Sequence, residues 1–182
     1  MLFCNGSPKT GTHLLLKTLF LFGDECKLAI HTHTPYAKRK EGEKYINIFR
    51  SPRNVLGSWL RFRKMEVNDD NLIKEMPMIV NEMYEYTDWY TTPPENTLNI
   101  KYEELLTSPI VINNISKFLG KKAKMNHFKE IWGGTPTFTN TPFIWRDNWS
   151  VTVEMEWVKN KGSELETILE YDPHKVWIRR KP

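Results

Sequence analysis

The stretch Asn5-Gly6-Ser7-Pro8-Lys9-Thr10-Gly11-Thr12-His13-Leu14 decides how this chain is read. It joins a short apolar run, residues 1–4, to a strongly apolar segment that reaches Phe22. Two glycines bracket the turn and permit close backbone approach, while the amides opening the next helix direct unsatisfied N–H groups and a positive dipole end into it. Lys9 adds a mobile point charge. Such a loop cradles an anion. Its ATP-binding form is G-x-x-x-x-G-K-[ST], with lysine directly after the second glycine. Gly6 and Gly11 keep that separation, but Thr12 stands in the lysine's place and the lysine has moved inside the loop, which disfavours an ordinary ATPase.

Outward from the loop, short apolar runs alternate with helical periodicities. Strands are predicted over residues 1–4, 27–33, 45–49 and 97–101; in the third, Tyr45, Asn47 and Phe49 alternate with Ile46 and Ile48. Helices are predicted over 12–22, closed by Gly23, and from Ser51-Pro52 to about residue 65, with serine as N-cap and proline at the first helical position. Further helices are expected over 71–90, with Pro77 as a kink or break, and over 102–119, interrupted near Ser108-Pro109 and closed by Gly120. The last two are 125–132 and 151–171, the latter with Gly162 as a weak point, and residues 133–150 between them read as an aromatic-rich loop. This alternation predicts an α/β fold of three layers, a central, mostly parallel sheet with helices on both faces. Ligands of such sheets lie at the carboxyl ends of the strands, where three elements should converge: the 6–12 loop, His33 with Pro35, and Arg50-Ser51.

Two of those elements carry chemistry. Arg50 leaves the third strand just before a helix starts, so its guanidinium is placed to fork onto a phosphate that also meets the helix N-terminus, with Ser58 two turns further on. His31 and His33 share one face of the second strand. An imidazole, with an ordinary pKa of about 6.5, accepts a hydroxyl proton near neutrality. A His-x-His pair also admits zinc, but His13, Cys4 and Cys26 lack ligand-like spacing for the remaining positions, and no metal is expected. A purely structural, hydrogen-bonded role stays open for His31.

Pro8-Lys9-Thr10-Gly11-Thr12 resembles the 5′-phosphosulfate loop of sulfotransferases that use 3′-phosphoadenosine 5′-phosphosulfate (PAPS). The segment from Arg50 to Ser58, Arg-x-Pro followed by a helix with serine eight residues after the arginine, is similar to that family's 3′-phosphate motif. His31-Thr32-His33-Thr34-Pro35 is similar to its Lys-Thr-His-x-Pro run, and Leu98 to Leu106 to its strand-Tyr-Glu-Asp-Leu element. The resemblance implies a P-loop NTPase-like sulfotransferase fold, PAPS as donor, 3′-phosphoadenosine 5′-phosphate (PAP) as product, and no metal. It implies His33 as general base and Lys9 beside the transferring group; His31, a further catalytic candidate, departs from the family by standing where it often has lysine, and supplies a second cation only if protonated. It also implies cofactor contacts from Ser7, Pro8, Lys9, Thr10, Gly11, Thr12, His13, Arg50 and Ser58. Trp145-Arg146-Asp147-Asn148-Trp149 resembles part of the family's late cofactor loop, adding Trp145 and Arg146, although the glycine and Arg-Lys-Gly cluster that normally precede it are missing. Leu14 stands where the family places a tryptophan on adenine; Trp132, Phe138, Phe143, Trp145 and Trp149 are the candidate replacements.

Composition sets the remaining bounds. At 182 residues, 40% hydrophobic and 13% aromatic, the chain has material for one core, and residues 1–182 read as a single domain. A net charge of +4 suits an anionic ligand. The basic residues cluster only at Lys38-Arg39-Lys40 and Arg179-Arg180-Lys181, so nucleic acid is not an expected partner. Two cysteines make no disulfide framework, the apolar 14–22 segment is too short for a bilayer, and no leader precedes Met1-Leu2-Phe3; a cytoplasmic protein without a membrane span is expected. The acceptor reads as a hydroxyl, less readily an amine, of a small molecule, glycan or peptide; its identity and the oligomeric state have no signature. Two alternatives stay open: a small nucleotide or metabolite kinase, and a catalytically idle nucleotide-binding module, the latter favoured by Leu14, His31 and the eroded late loop.

Overall fold

The computed structural model describes residues 1–124, 145 and 148–172. Four strands, β1 (Leu2–Asn5), β2 (Ile30–His31), β3 (Lys44–Phe49) and β4 (Thr97–Lys101), form one parallel sheet in the order β2-β1-β3-β4. Among the described residues, eight α-helices accompany them: α1 (Thr12–Leu19), α2 (Pro52–Phe62), α3 (Asp69–Tyr84), α4 (Thr87–Thr91), α5 (Tyr102–Thr107), α6 (Pro109–Leu119), α7 (Val151–Lys159) and α8 (Gly162–Ile168).

The alternation along β3 divides the core in two. Tyr45 and Phe49, with Phe3 of β1, pack against Leu56 and Leu60 of α2, Leu72, Met76 and Ile79 of α3, Trp157 of α7 and Leu165 of α8. Ile46 and Ile48 face the other way, joining Cys4, Leu15 and Leu19 of α1, Leu105 of α5 and Ile112 and Ile115 of α6. Sheet and flanking helices therefore make three layers, as the alternating sequence predicts. Most of these side chains are fully buried, and each contributes about 1.5–3 kcal/mol of transfer free energy.

The differences from the sequence reading lie at element ends. The second strand is two residues long; residues 24–28 wind instead into a 3-10 turn, and His33 lies beyond the strand. Helix α1 stops at Leu19 and a 3-10 turn covers Phe20–Phe22 before Gly23. Helix α3 continues unbroken through Pro77, which is exposed, because the buried faces before and after it (Leu72 and Met76, then Ile79, Val80 and Met83) outweigh one lost hydrogen bond; the expected 71–90 helix is instead divided at Glu85-Tyr86, between α3 and α4. The predicted last helix is two, α7 and α8, joined where Lys161 takes a left-handed φ of 62°. A Cβ on Gly162 would press into the ring of Trp157, so close packing excludes any side chain there. The predicted 125–132 helix and most of the 133–150 loop lie outside the described residues.

Candidate active site

Strand β1 ends in a buried Asn5, and the loop behind it is tied tightly to its neighbours. Thr10 donates from both its backbone N–H (3.3 Å) and its Oγ1 (2.7 Å) to the carbonyl of Ser7, closing the turn. A Cβ on Gly6 would lie 2.5 Å from the Ile48 carbonyl oxygen and 2.6 Å from Thr10 Oγ1, so the first glycine is required by close approach. Gly11 is the N-cap of α1, at φ 106°, and a Cβ there would lie 2.8 Å from Cε2 of Tyr102. No side chain caps α1, so its first-turn amides keep the dipole end that an anion seeks.

Arg50, buried at the end of β3, joins this loop to α2. Its Nη1 donates to Ser58 Oγ at 2.7 Å and to the Lys9 carbonyl at 3.2 Å, and its guanidinium lies 4.4 Å above the ring of Tyr102. Two buried polar atoms in this set have no hydrogen-bond partner among the described residues: Arg50 Nε and Ser7 Oγ. Buried donors without acceptors are rare and costly. Loop amides, a lysine and two unpartnered buried donors fit a ligand rich in anionic oxygens. One expected contact is already taken: the Ser51 N–H at the start of α2 donates to Glu103 Oε1 at 3.2 Å, so that donor is satisfied within the protein, and the Ser51 side chain caps nothing. Glu103, itself buried, also accepts from Asn54 Nδ2 (3.3 Å) and, on Oε2, from the Tyr171 hydroxyl (2.9 Å).

The three histidines meet on the other side of the loop. His31 stacks on His13 with centroids 4.4 Å apart and meets His33 edge-on at 4.8 Å. Its Nε2 is 2.7 Å from Thr12 Oγ1, inside the anion loop. Burial, followed by the neighbouring His13 and His33, lowers the His31 pKa below 6.5, which favours the neutral ring. His33 is exposed, and its Nδ1 is 2.6 Å from the Gly6 carbonyl. A carbonyl only accepts, so Nδ1 carries the proton and Nε2 keeps the lone pair in the neutral ring. Lys9 has its ammonium over the ring of Phe62, 3.1 Å from the centroid, and burial lowers its pKa below 10.5.

The polar frame beneath the loops has no counterpart in the sequence reading. Asn5, Asn47 and Asn99 stand opposite one another across β1, β3 and β4. Asn5 Nδ2 donates to Asn47 Oδ1 and Asn47 Nδ2 to Asn99 Oδ1, both at 3.0 Å; Asn99 Nδ2 donates to the Trp89 carbonyl at 2.6 Å. Trp89 Nε1 and Asn5 Nδ2 both reach the Thr34 carbonyl, and Thr34 N–H returns to Asn5 Oδ1, closing the circuit beside His33. A polar amide near the end of three apolar strands was the available signal.

Trp145 and Trp149 lie in a different cluster. Their rings meet at 5.4 Å, Trp149 meets Trp157 at 5.4 Å, and all three surround the Arg53 guanidinium at 4.7–5.6 Å. Arg53 forms ion pairs with Glu166 (2.8 Å) and Glu154 (2.6 Å), which fastens α7 and α8 to α2. Leu14 is core. Arg146, Trp132, Phe138 and Phe143 lie outside the described residues.

A parallel sheet of this order, with a glycine-bracketed loop after β1 and an arginine leaving β3, defines an α/β protein with helices on both faces of the sheet. Over residues 24–141 the sequence matches the sulfotransferase domain family, and the chain belongs to that family. Among solved structures, the crystal structure of mouse sulfotransferase SULT7A1 complexed with PAP is similar, with 14% identity over 93% of this chain and 87% of that one and a TM-score of 0.66. That likeness shows the fold. No curated protein matches the sequence.

Proposed function

We propose that the protein transfers a sulfuryl group from PAPS to a hydroxyl, less readily an amine, of a small-molecule, glycan or peptide acceptor. The observation that carries this reading is Arg50, whose one guanidinium nitrogen binds both the Lys9 carbonyl and Ser58 Oγ while Nε is left for a ligand. One residue thereby couples a loop suited to a 5′-phosphosulfate with a pair suited to a 3′-phosphate. When bound, PAPS supplies the sulfuryl group and a phosphate leaving group. Lys9 and the amides of Thr10, Gly11 and Thr12 neutralise anionic oxygens, with Ser7, Pro8 and His13 bordering them. Arg50 and Ser58 hold the 3′-phosphate. His33 Nε2 takes the acceptor's proton while Gly6 fixes its tautomer. His31, neutral and bound to Thr12, orients the loop rather than adding a cation.

The function is proposed for residues 1–182 as one domain, with a cytoplasmic setting supported by two free, buried cysteines. Late-loop contacts from Trp145 and Arg146 remain part of the proposal. The test is isothermal titration with PAP against ADP, with and without magnesium. Selective, magnesium-independent binding of PAP is expected, and preference for magnesium-bound ADP would replace the reading with a kinase. Lys9→Ala should cripple turnover and Arg50→Ala should mainly weaken PAP binding; wild-type kinetics in both would overturn it.

A further inference from the structure

Phe62 is the last residue of α2, is 60% exposed, and lies one helical turn beyond Ser58 on the same face. A single exposed phenylalanine usually needs no explanation. This one has the Lys9 ammonium seated on its ring at 3.1 Å from the centroid. Lys9 is held at its other end as well: its carbonyl accepts from Arg50, and its backbone takes a left-handed φ of 69°, a conformation that non-glycine residues rarely adopt. The loop lysine is thus clamped between Arg50 and α2, the same unit that carries Ser58.

We propose that Phe62 is a positioning residue for Lys9, its ring holding the ammonium at the mouth of the loop so that the cation is ordered before an anionic ligand arrives. The inference rests on the donor-binding reading above. A lysine loses much rotamer freedom when it binds a phosphate, and a ligand meeting a cation that is already ordered avoids part of that cost. The ring suits the task because it attracts the cation without neutralising it, as a carboxylate would. The opposite arrangement, a perch that withholds Lys9 from the ligand, predicts the opposite sign.

The experiment is a double-mutant cycle on PAP affinity with wild type, Phe62→Leu, Lys9→Met and the double variant, plus Phe62→Trp. Phe62→Leu should weaken PAP binding about two- to fivefold, the scale of an exposed cation–π contact. Phe62→Trp should restore it, and Phe62→Leu should change nothing once Lys9 is methionine. Equal or tighter binding by Phe62→Leu, or the same loss in the Lys9→Met background, overturns the proposal while leaving the donor reading intact. No PAP binding by the wild type overturns both. A ligand-independent readout accompanies the cycle: the Lys9 side-chain methylene protons should be shifted upfield by the ring in wild type and should move downfield in Phe62→Leu. Unchanged shifts also refute the contact.

Discussion

Glu103→Ala tests the frame of the site more sharply than any change to a ligand-facing residue. Glu103 is 3% exposed and accepts from the Ser51 N–H, the Asn54 amide and the Tyr171 hydroxyl. Removing the carboxylate strands three donors, of which Asn54 and Tyr171 are themselves buried. Each stranded donor costs about 1–3 kcal/mol. Because the three share one acceptor group, the losses are not additive, and the expected total is about 3–5 kcal/mol. That is a large part of the roughly 5–15 kcal/mol that holds a domain together. Glu103→Gln keeps Oε1 for two of the donors and turns the atom facing Tyr171 into an NH2 donor, which the Tyr171 hydroxyl meets by rotating its own proton away and accepting; it should cost only about 1–2 kcal/mol. Urea unfolding gives the stabilities, and PAP titration on the same samples reports whether Arg50, one residue before Ser51, has lost its placement. A Glu103→Ala protein within 1 kcal/mol of wild type, or a Gln variant as damaged as the Ala variant, would refute the reasoning.

Three further outcomes are expected. Gly11→Ala combines a strained φ with a methyl against the Tyr102 ring, and should lose about 2–4 kcal/mol in urea unfolding together with PAP affinity, since that ring also underlies Arg50. Arg53→Ala leaves the buried Glu166 without its counter-charge and should cost about 3–5 kcal/mol, seen as a lowered thermal midpoint; an unchanged midpoint would remove the cluster from the fold's supports. The third concerns pH. His31 binds its proton less readily when folded than its ordinary 6.5, so the unfolded chain takes up the proton first as the solution is acidified. Its contribution to stability is present above pH 6.5 and is lost as pH falls from 6.5 towards the lower folded value; His31→Gln should flatten that part of the stability profile.

What the sequence made legible was local. The loop from Gly6 to Thr12, the Arg50 and Ser58 pair eight residues apart, and the helix break at Ser108-Pro109 each depend on neighbours along the chain, and the structure contains all three. The two faces of β3 follow from simple alternation, and both clusters of the core are built on them. Hidden from the sequence were partners brought together by topology. Arg53 finds Glu154 and Glu166 more than a hundred residues away, and Glu103 finds Ser51 and Tyr171 from opposite directions. The second strand came out short because residues 24–28 wind into a 3-10 turn and pairing with β1 covers only Ile30 and His31. The run through Pro77 shows the same limit in a helix, where packing on either side decides what a local breaker cannot.

The asparagine circuit gives the site a common frame of reference. The anion loop, the Arg50 turn and the Tyr102-Glu103 turn issue from β1, β3 and β4, and amides near the ends of those three strands are bonded to one another in sequence. Thr34 belongs to the same circuit, so the segment bearing His33, although outside any strand, is moored to the sheet as firmly as the loop it faces. Displacement of one of these turns therefore pulls on the others through the shared amides, which couples the position of His33 to that of the Gly6–Thr12 loop. Slipping any one strand by a single residue would leave a buried amide with no counterpart, so the same circuit that aligns the chemistry also penalises every misregistered sheet during folding.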